Sequence, residues 1–305
     1  MKINALLAGF SFSTTALTVS LAASPATGAD PFLWLEQAHG ERAMKWVKAE
    51  NVKTDAVLER DPRFQALFHN AKVILEAKDR IPEPSVLAGQ ILNFWQDADH
   101  THGIWRQTSE KDFQSDAPNW RTVIDLDALS KSEKANWFWK GAVCREPDQQ
   151  RCIVSLSDGG EDAVTLREFD LAKSAFVDGG FSLPSGKQDV NWEDADTLLL
   201  AREWKPGEVT RSGYAFVVKR IKRGQPLDAA VEVFRGSADD VGASPISLSD
   251  GAGHSAAFIQ RAVSIFEFEF YLLGPNGPAK LNLPMKAELL TLLDGRLIEI
   301  GRAHV

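Results

Sequence analysis

The stretch from Asn136 to Asp170 constrains this chain most. Apolar residues fall mostly on alternate positions: Trp137 and Trp139, then Cys152, Val154 and Leu156, then Val164, Leu166 and Phe169. A period of two puts such residues on one face of a strand. Asp158-Gly159-Gly160 reads as a hairpin connection, because glycine accepts the positive φ that tight turns need. Two or three short strands cannot bury a face by themselves. The stretch therefore requires neighbours of its own kind.

The spacing of turns suggests where they are. Leu156-Ser-Asp-Gly159 recurs as Leu248-Ser-Asp-Gly251, 92 residues later. Pro206-Gly207 falls between them, and Asp294-Gly295 follows Asp250-Gly251 by 44 residues. Turns 44 to 48 residues apart, with strand-like runs between, fit one four-stranded propeller blade of ~40–50 residues. The pattern predicts a mainly β chain, an incomplete β-propeller of roughly four to five blades preceded by a helical segment.

Taken in order, residues 1–29 read as a secretory signal peptide. Lys2 is their single charge, Ala5 to Ala23 is apolar with serines and threonines, and Ala22, Ala26 and Ala29 offer small cleavage positions. A membrane anchor is the alternative, but the run is short and diluted. Export places the product in the periplasm or outside the cell, and loss of Lys2 takes the net charge from −8 to −9.

Residues 30–80 form the helical segment. Ala43, Met44, Trp46, Val47, Asn51, Thr54 and Leu58 mark a first helix from about Gly40. A second starts at Asp61-Pro62, with Asp as cap and Pro at the first helical position, and carries Phe64, Leu67, Phe68, Ala71, Ile74 and Leu75 at helical spacing. Ile81-Pro-Glu-Pro84 ends it. Residues 81–298 are the partial propeller. Its strands are expected at Leu87–Trp95, Gly103–Gln107, Trp120–Leu126, Gln188–Trp192, Thr197–Arg202, Tyr214–Ile221, Ala229–Phe234, Ala256–Arg261 and Ser264–Leu273, besides the stretch described first. A hairpin around Asp294-Gly295 closes the run.

Seventeen phenylalanines and nine tryptophans against two tyrosines suit aromatic sheet packing. No long basic run is present, which argues against nucleic acid as a partner. No stretch after the signal is long and apolar enough to span a bilayer. Cys144 and Cys152 flank the polar loop Arg-Glu-Pro-Asp-Gln-Gln-Arg. In an oxidising compartment they can form a disulfide across a hairpin base, with the ordinary Cα separation of ~4.4–6.8 Å; two small buried residues are the alternative. Too few ligands lie nearby for a metal site, and no cofactor is implied.

Several segments together resemble the prolyl oligopeptidase family of serine peptidases. Asp30-Pro-Phe-Leu-Trp-Leu-Glu36 is similar to that family's Asp-Pro-Tyr-x-Trp-Leu-Glu opening motif. Trp46-Val47 through Thr54, Trp120 to Asp127, Asn136-Trp137, Leu156-Ser157 with Gly159-Gly160, Arg167-Glu-Phe-Asp170, Leu183-Pro184 and Ser212-Gly-Tyr214 extend the resemblance to about residue 298. It implies a seven-bladed propeller beside an α/β-hydrolase domain. The helical segment would pack on that domain through Phe32, Trp34, Leu35, Trp46, Phe64 and Phe68. It also implies hydrolysis of short peptides, with the propeller restricting access to the active site.

Acyl transfer of this kind needs a serine on a Gly-x-Ser-x-Gly elbow, followed by Asp and His. The chain has none: Gly9-Phe10-Ser11 lacks the second glycine, and Gly242-Ala243-Ser244 continues into Pro245-Ile246. No catalytic residue is assigned, and the chain alone is expected to be inactive. The resemblance makes it the N-terminal portion of an exported peptidase whose hydrolase domain is its missing partner. A non-catalytic propeller that binds peptides or a protein is the alternative.

Three polar groupings have plainer readings. Asp97-Ala-Asp99-His-Thr-His102 could place metal ligands on one face of a strand, but reads as a polar turn. Glu161-Asp162 reads as a solvated hairpin end rather than paired carboxylates for acid–base work. Lys219, Arg220, Lys222 and Arg223 read as a solvated strand end, with a contact to acidic substrate as the alternative. Residues 299–305 are expected not to belong to the natural protein. The resemblance stops there in mid-blade, and Glu-Ile-Gly-Arg-Ala-His-Val is what a common sequencing adapter encodes.

Overall fold

The computed structural model describes residues 30–37, 39–77 and 81–301. The signal assigned to residues 1–29, and residues 302–305 of the tail, lie outside the described residues. The chain divides into two compact units at Val73/Ile74.

In the first unit a short 3-10 turn, Leu33–Glu36, precedes α1 (Glu41–Leu58) and α2 (Phe64–Leu75). Both helices fall where their periodicity places them. The second helix starts later than expected: Asp61 accepts from the Arg63 amide at 2.9 Å in a turn that holds Pro62, and the helix begins at Phe64. Trp34 meets Trp46 edge-on at 6.1 Å, and Phe64 stacks on Phe68 at 6.2 Å. Ala43 is the one buried residue in the two helices. Phe32, Trp46, Leu67 and Phe68 are exposed. Among the described residues, no helix is long and apolar enough to cross a membrane.

The second unit is a series of antiparallel meanders. Sheet I contains β1 (Ser85–Leu87), β2 (Gln90–Trp95), β3 (Ile104–Thr108) and β4 (Arg121–Asp125), with the four-residue helix α3 (Glu110–Phe113) before β4 and α4 (Leu126–Glu133) after it. Sheet II contains β5 (Trp137–Cys144), β6 (Arg151–Asp158), β7 (Val164–Asp170) and β8 (Ala175–Phe176), and β9 (Ser182–Gly186) also pairs with β7. Sheet III contains β10 (Gln188–Asp194), β11 (Thr197–Arg202), β12 (Val217–Lys222) and β13 (Val231–Arg235). Sheet IV contains β14 (Gly242–Ser249), β15 (Ser255–Ala262), β16 (Phe268–Gly274) and β17 (Gly277–Lys280). Last comes the hairpin β18 (Ala287–Leu293) and β19 (Arg296–Gly301). First strands begin 45 to 54 residues apart, at Ser85, Trp137, Gln188, Gly242 and Ala287. Sheets I to IV are four blades, and the hairpin is the start of a fifth.

Alternation explains why the blades stack. Leu198 and Leu200 of β11 enter a core with Ile153, Leu166 and Leu183 of sheet II. Leu199 and Ala201, pointing the other way, enter a core with Ala243 and Ile259 of sheet IV. Sheets I and II meet in a third core of Leu92, Trp105, Ile124, Val154 and Phe169. A blade strand buried on both faces reads as a continuous apolar run, as Thr-Leu-Leu-Leu-Ala does. Each such leucine contributes about 1.5–3 kcal/mol.

The structure corrects the sequence reading in three places. Leu87–Trp95 is two strands, because Ala88 and Gly89 have φ of 51° and 70° and form a two-residue turn. β14 is absent from the expected strands. It is poor in large apolar residues and contains Pro245, which an edge strand accommodates without losing a ladder bond. The two Leu-Ser-Asp-Gly copies are not equivalent: Gly159 turns between the second and third strands of its blade, Gly251 between the first and second. The matching pairs are Gly159 with Pro206-Gly207, and Gly251 with Asp294-Gly295. β19 runs to Gly301, pairing Glu299 with Leu289 and Ile300 with Glu288, across the boundary expected at residue 299.

Candidate functional site

The innermost strands of successive blades pack against one another, β10 between β5 and β14, and β14 against β18. They run in a common direction, so their starts gather at one end of the unit and their ends at the other. Clefts open between them at both ends.

At the ends of β5, β10 and β14 a cavity of about 530 Å³ is lined by Cys144, Arg145, Glu193, Asp194, Ser249 and His254. Cys144 and Cys152 face each other across the β5–β6 ladder and are joined as a disulfide, with Cα atoms 3.9 Å apart. That is closer than the range expected from the sequence. The neighbouring pair is hydrogen-bonded, Arg145 N–H to the Arg151 carbonyl at 2.8 Å. The cysteines therefore occupy the non-hydrogen-bonded register, where opposed Cα atoms come closest. The loop they close reaches sheet I, where Gln149 Oε1 accepts from the Ala88 amide at 2.7 Å.

At the starts of β10 and β14 a second cavity, of about 300 Å³, is lined by Asp162, Lys187, Asp189, Tyr214, Ser244 and Gln260 among others. A third, of about 280 Å³, lies between β5 and β10 and shares Asp162, Gln188 and Asp189 with it. Gln188 donates to the Val164 and Pro184 carbonyls at 2.6 and 2.8 Å and so holds sheet II against sheet III. Lys187 Nζ lies 3.7 Å from Asp162. Asp189 accepts from its neighbour's amide, Val190, at 2.9 Å, and the Ser244 side chain beside it favours its ionised form. Asp189 is exposed to the cleft, yet the blades that flank it disfavour its charged form and raise its pKa, against the opposing effect of Ser244 and the Val190 amide. Sequence reasoning missed Asp189, because a polar residue at a strand start carries no signal of its own.

The polar groupings are placed as follows. Asp97 accepts from the Trp95 indole at 2.8 Å, from the Asp99 and His100 amides at 3.0 and 2.8 Å, and lies 2.9 Å from His100 Nδ1. Burial pushes its carboxyl up, but these bonds outweigh it and hold the pKa down at about 2. His102 turns instead to Asp127 and Asn136, 2.8 Å from each. Among the described residues, no group of three or more His, Cys, Asp or Glu is placed to hold a metal ion. Asp162 is exposed beside Lys187. Arg220 and Arg223 correct the reading of a solvated strand end: Arg220 pairs with Glu193, and Arg223 with Glu168 and Asp196. Glu193 and Asp196 belong to the same blade as the arginines, and Glu168 to the preceding blade, so Arg223 ties two blades together. Ser244 has no histidine beside it in its cleft.

Comparison with known proteins agrees with this architecture. The profile of the prolyl oligopeptidase N-terminal beta-propeller domain matches residues 19–264. An uncharacterized peptidase of Sinorhizobium fredii is 46% identical over 260 residues, covering 84% of this chain and 36% of its own length. An uncharacterized peptidase of Rickettsia prowazekii is 29% identical over 275 residues, covering 84% and 37%. Among solved structures, a post-proline cleaving enzyme from Rickettsia typhi superposes with a TM-score of 0.78 at 27% identity, over 88% of this chain and 40% of that one. Oligopeptidase B from Leishmania major, 13% identical with a TM-score of 0.66 over 88% and 37%, shares the fold. The chain thus spans well under half the length of the proteins it matches.

Proposed function

The chain belongs to the prolyl oligopeptidase family, and from that premise we propose that it is the N-terminal portion of an exported serine-type peptidase that hydrolyses short peptides. In this reading the serine, aspartate and histidine lie in a hydrolase domain of the longer protein. The helical unit packs on that domain through Phe32, Trp46, Phe64 and Phe68. The propeller limits what reaches the active site. The product works in the periplasm or outside the cell. The observation that carries the reading is the match of residues 19–264 to the family's propeller domain, supported by the peptide-sized clefts along the inner strands.

The test is the reading frame beyond codon 305. We expect it to continue to a Gly-x-Ser-x-Gly elbow. Its product should cleave internally quenched short peptides and leave folded proteins intact. Fractionation of a tagged product should place it outside the cytoplasm. A stop codon at that point in the genome, with peptide binding but no hydrolysis, would replace this reading with the non-catalytic propeller.

A further inference from the structure

We propose that the cleft between the starts of β10 and β14 is a binding site for an alkylammonium group, with Asp189 as its counter-ion. The inference deepens the peptide reading above and rests on it for the source of the ammonium: the α-amino group of a short peptide or a lysine side chain.

The cavity of about 300 Å³ holds an aminoalkyl group and the peptide unit attached to it. Asp189 opens onto it. Val190 N–H, which reaches the carboxylate, and the Ser244 hydroxyl beside it are both neutral. The nearest cation in the lining, Lys187, is directed to Asp162 and to the Tyr214 ring, 5.7 Å from its centroid. Asp189 is exposed to the cleft and has no ion pair among the described residues, so a ligand cation can reach it and supply the missing counter-charge. Tyr214, half exposed in the same lining, offers a ring face to that cation. Gln260 adds an amide that can bond the adjoining peptide unit.

The geometry also selects the kind of cation. A compact ammonium needs one strong acceptor, which Asp189 supplies. An anionic group is disfavoured by the same carboxylate.

The chain contains two tyrosines, Tyr214 in the cleft and Tyr271 on β16, so ring-labelled tyrosine supplies one reporter and one control for NMR. Titration with pentylammonium should move Tyr214 and leave Tyr271 in place, and Asp189→Asn, which keeps the side chain's shape, should weaken the response about tenfold or more. Equal responses in the two proteins, or none, overturn the proposal whatever peptides do. Three lysine-free or single-lysine peptides then assign the source. A free amino terminus that binds while its acetylated form does not identifies the α-amino group. Recovery of binding in an acetylated peptide carrying one lysine identifies the side chain. A pentylammonium response with no binding of any peptide keeps the ammonium site and removes the peptide reading. Peptides that bind the wild type and Asp189→Asn alike keep the peptide reading and remove the site.

Discussion

Arg223, in the turn after β12, closes a two-pronged ion pair with Glu168 on β7, 55 residues earlier in the chain. Its Nη2 lies 3.2 Å from Glu168 Oε1 and its Nη1 contacts Oε2. The Glu168 side chain is 2% exposed and also accepts from the Phe181 amide at 2.9 Å. The pair spans the seam between sheets II and III. Arg223→Met should cost about 3 kcal/mol, because it leaves a buried carboxylate with Arg151, 4.0 Å away, as its remaining ion-pair partner. Urea unfolding measures this, and the double change with Glu168→Gln should recover part of the loss. A loss below about 0.5 kcal/mol would place the pair among the inconsequential ones.

Glu168 also shows where the sequence was legible and where it was not. The blades were, because Leu198 to Ala201, or Cys152 to Leu156, carry their burial in an apolar period. Blade seams are written in residues far apart in sequence. Nothing local marks Glu168 as the partner of Arg223, or Gly180 as the residue whose missing Cβ leaves room for Glu168: an added Cβ would sit 2.9 Å from its Oε2. The clefts share that origin. Asp189 and Ser244 belong to different blades and come together only when the blades stack.

His102 makes stability depend on pH. Its Nδ1 is 2.8 Å from Asp127 and its Nε2 2.8 Å from Asn136 Oδ1, so both ring nitrogens face acceptors and the charged ring satisfies both. The bond to Asp127, then that to Asn136, raises the His102 pKa. A raised folded value means the contribution is full below the unfolded value of about 6.5 and is lost as pH rises through the folded one. Asp127, lowered from 3.8 because its bonds from His102 and Thr101 outweigh burial, acts in a separate acid window. It stabilises above its unfolded value, and that contribution fades as pH falls through its folded value. Unfolding free energies should therefore decline as pH rises above about 6.5, the unfolded value. In His102→Gln that decline should flatten, and an unchanged slope would assign it to another group.

Cys144 and Cys152 should resist alkylation until the protein is unfolded and reduced, since Cys152 is fully buried and the pair is joined. Closing so short a loop contributes about 2.5 kcal/mol through the unfolded chain. Cys144→Ala with Cys152→Ala should lower the urea midpoint accordingly. Two thiols titrating in the native protein would contradict the pairing.

Purified as it stands, the chain should not react with a fluorophosphonate probe. No serine sits on an elbow, and Ser244, which follows Gly242-Ala243, lies on the strand β14 rather than on a strand-to-helix turn. Stoichiometric labelling at any serine would refute this.

The two units should differ in local stability. In α1 only Ala43 is buried, and α2 has no buried residue. Leu67 and Phe68 are 62% and 60% exposed, and Val73, Ile74 and Leu75 also face solvent. Backbone bonds in such helices are protected by little more than the helix itself, and helices of this length are marginal in water. In contrast, Leu198, Leu199, Leu200 and Ala201 of β11 are fully buried, between neighbours on both faces. Amide hydrogen exchange followed by mass spectrometry should show α1 and α2 exchanging at least about tenfold faster than β6 and β11, through openings that leave the blades closed. If the helices exchanged as slowly as β11, the two units would be opening together. The apolar surface of α2 would then be covered in solution by a partner or a second copy, and concentration dependence of the rates would reveal it.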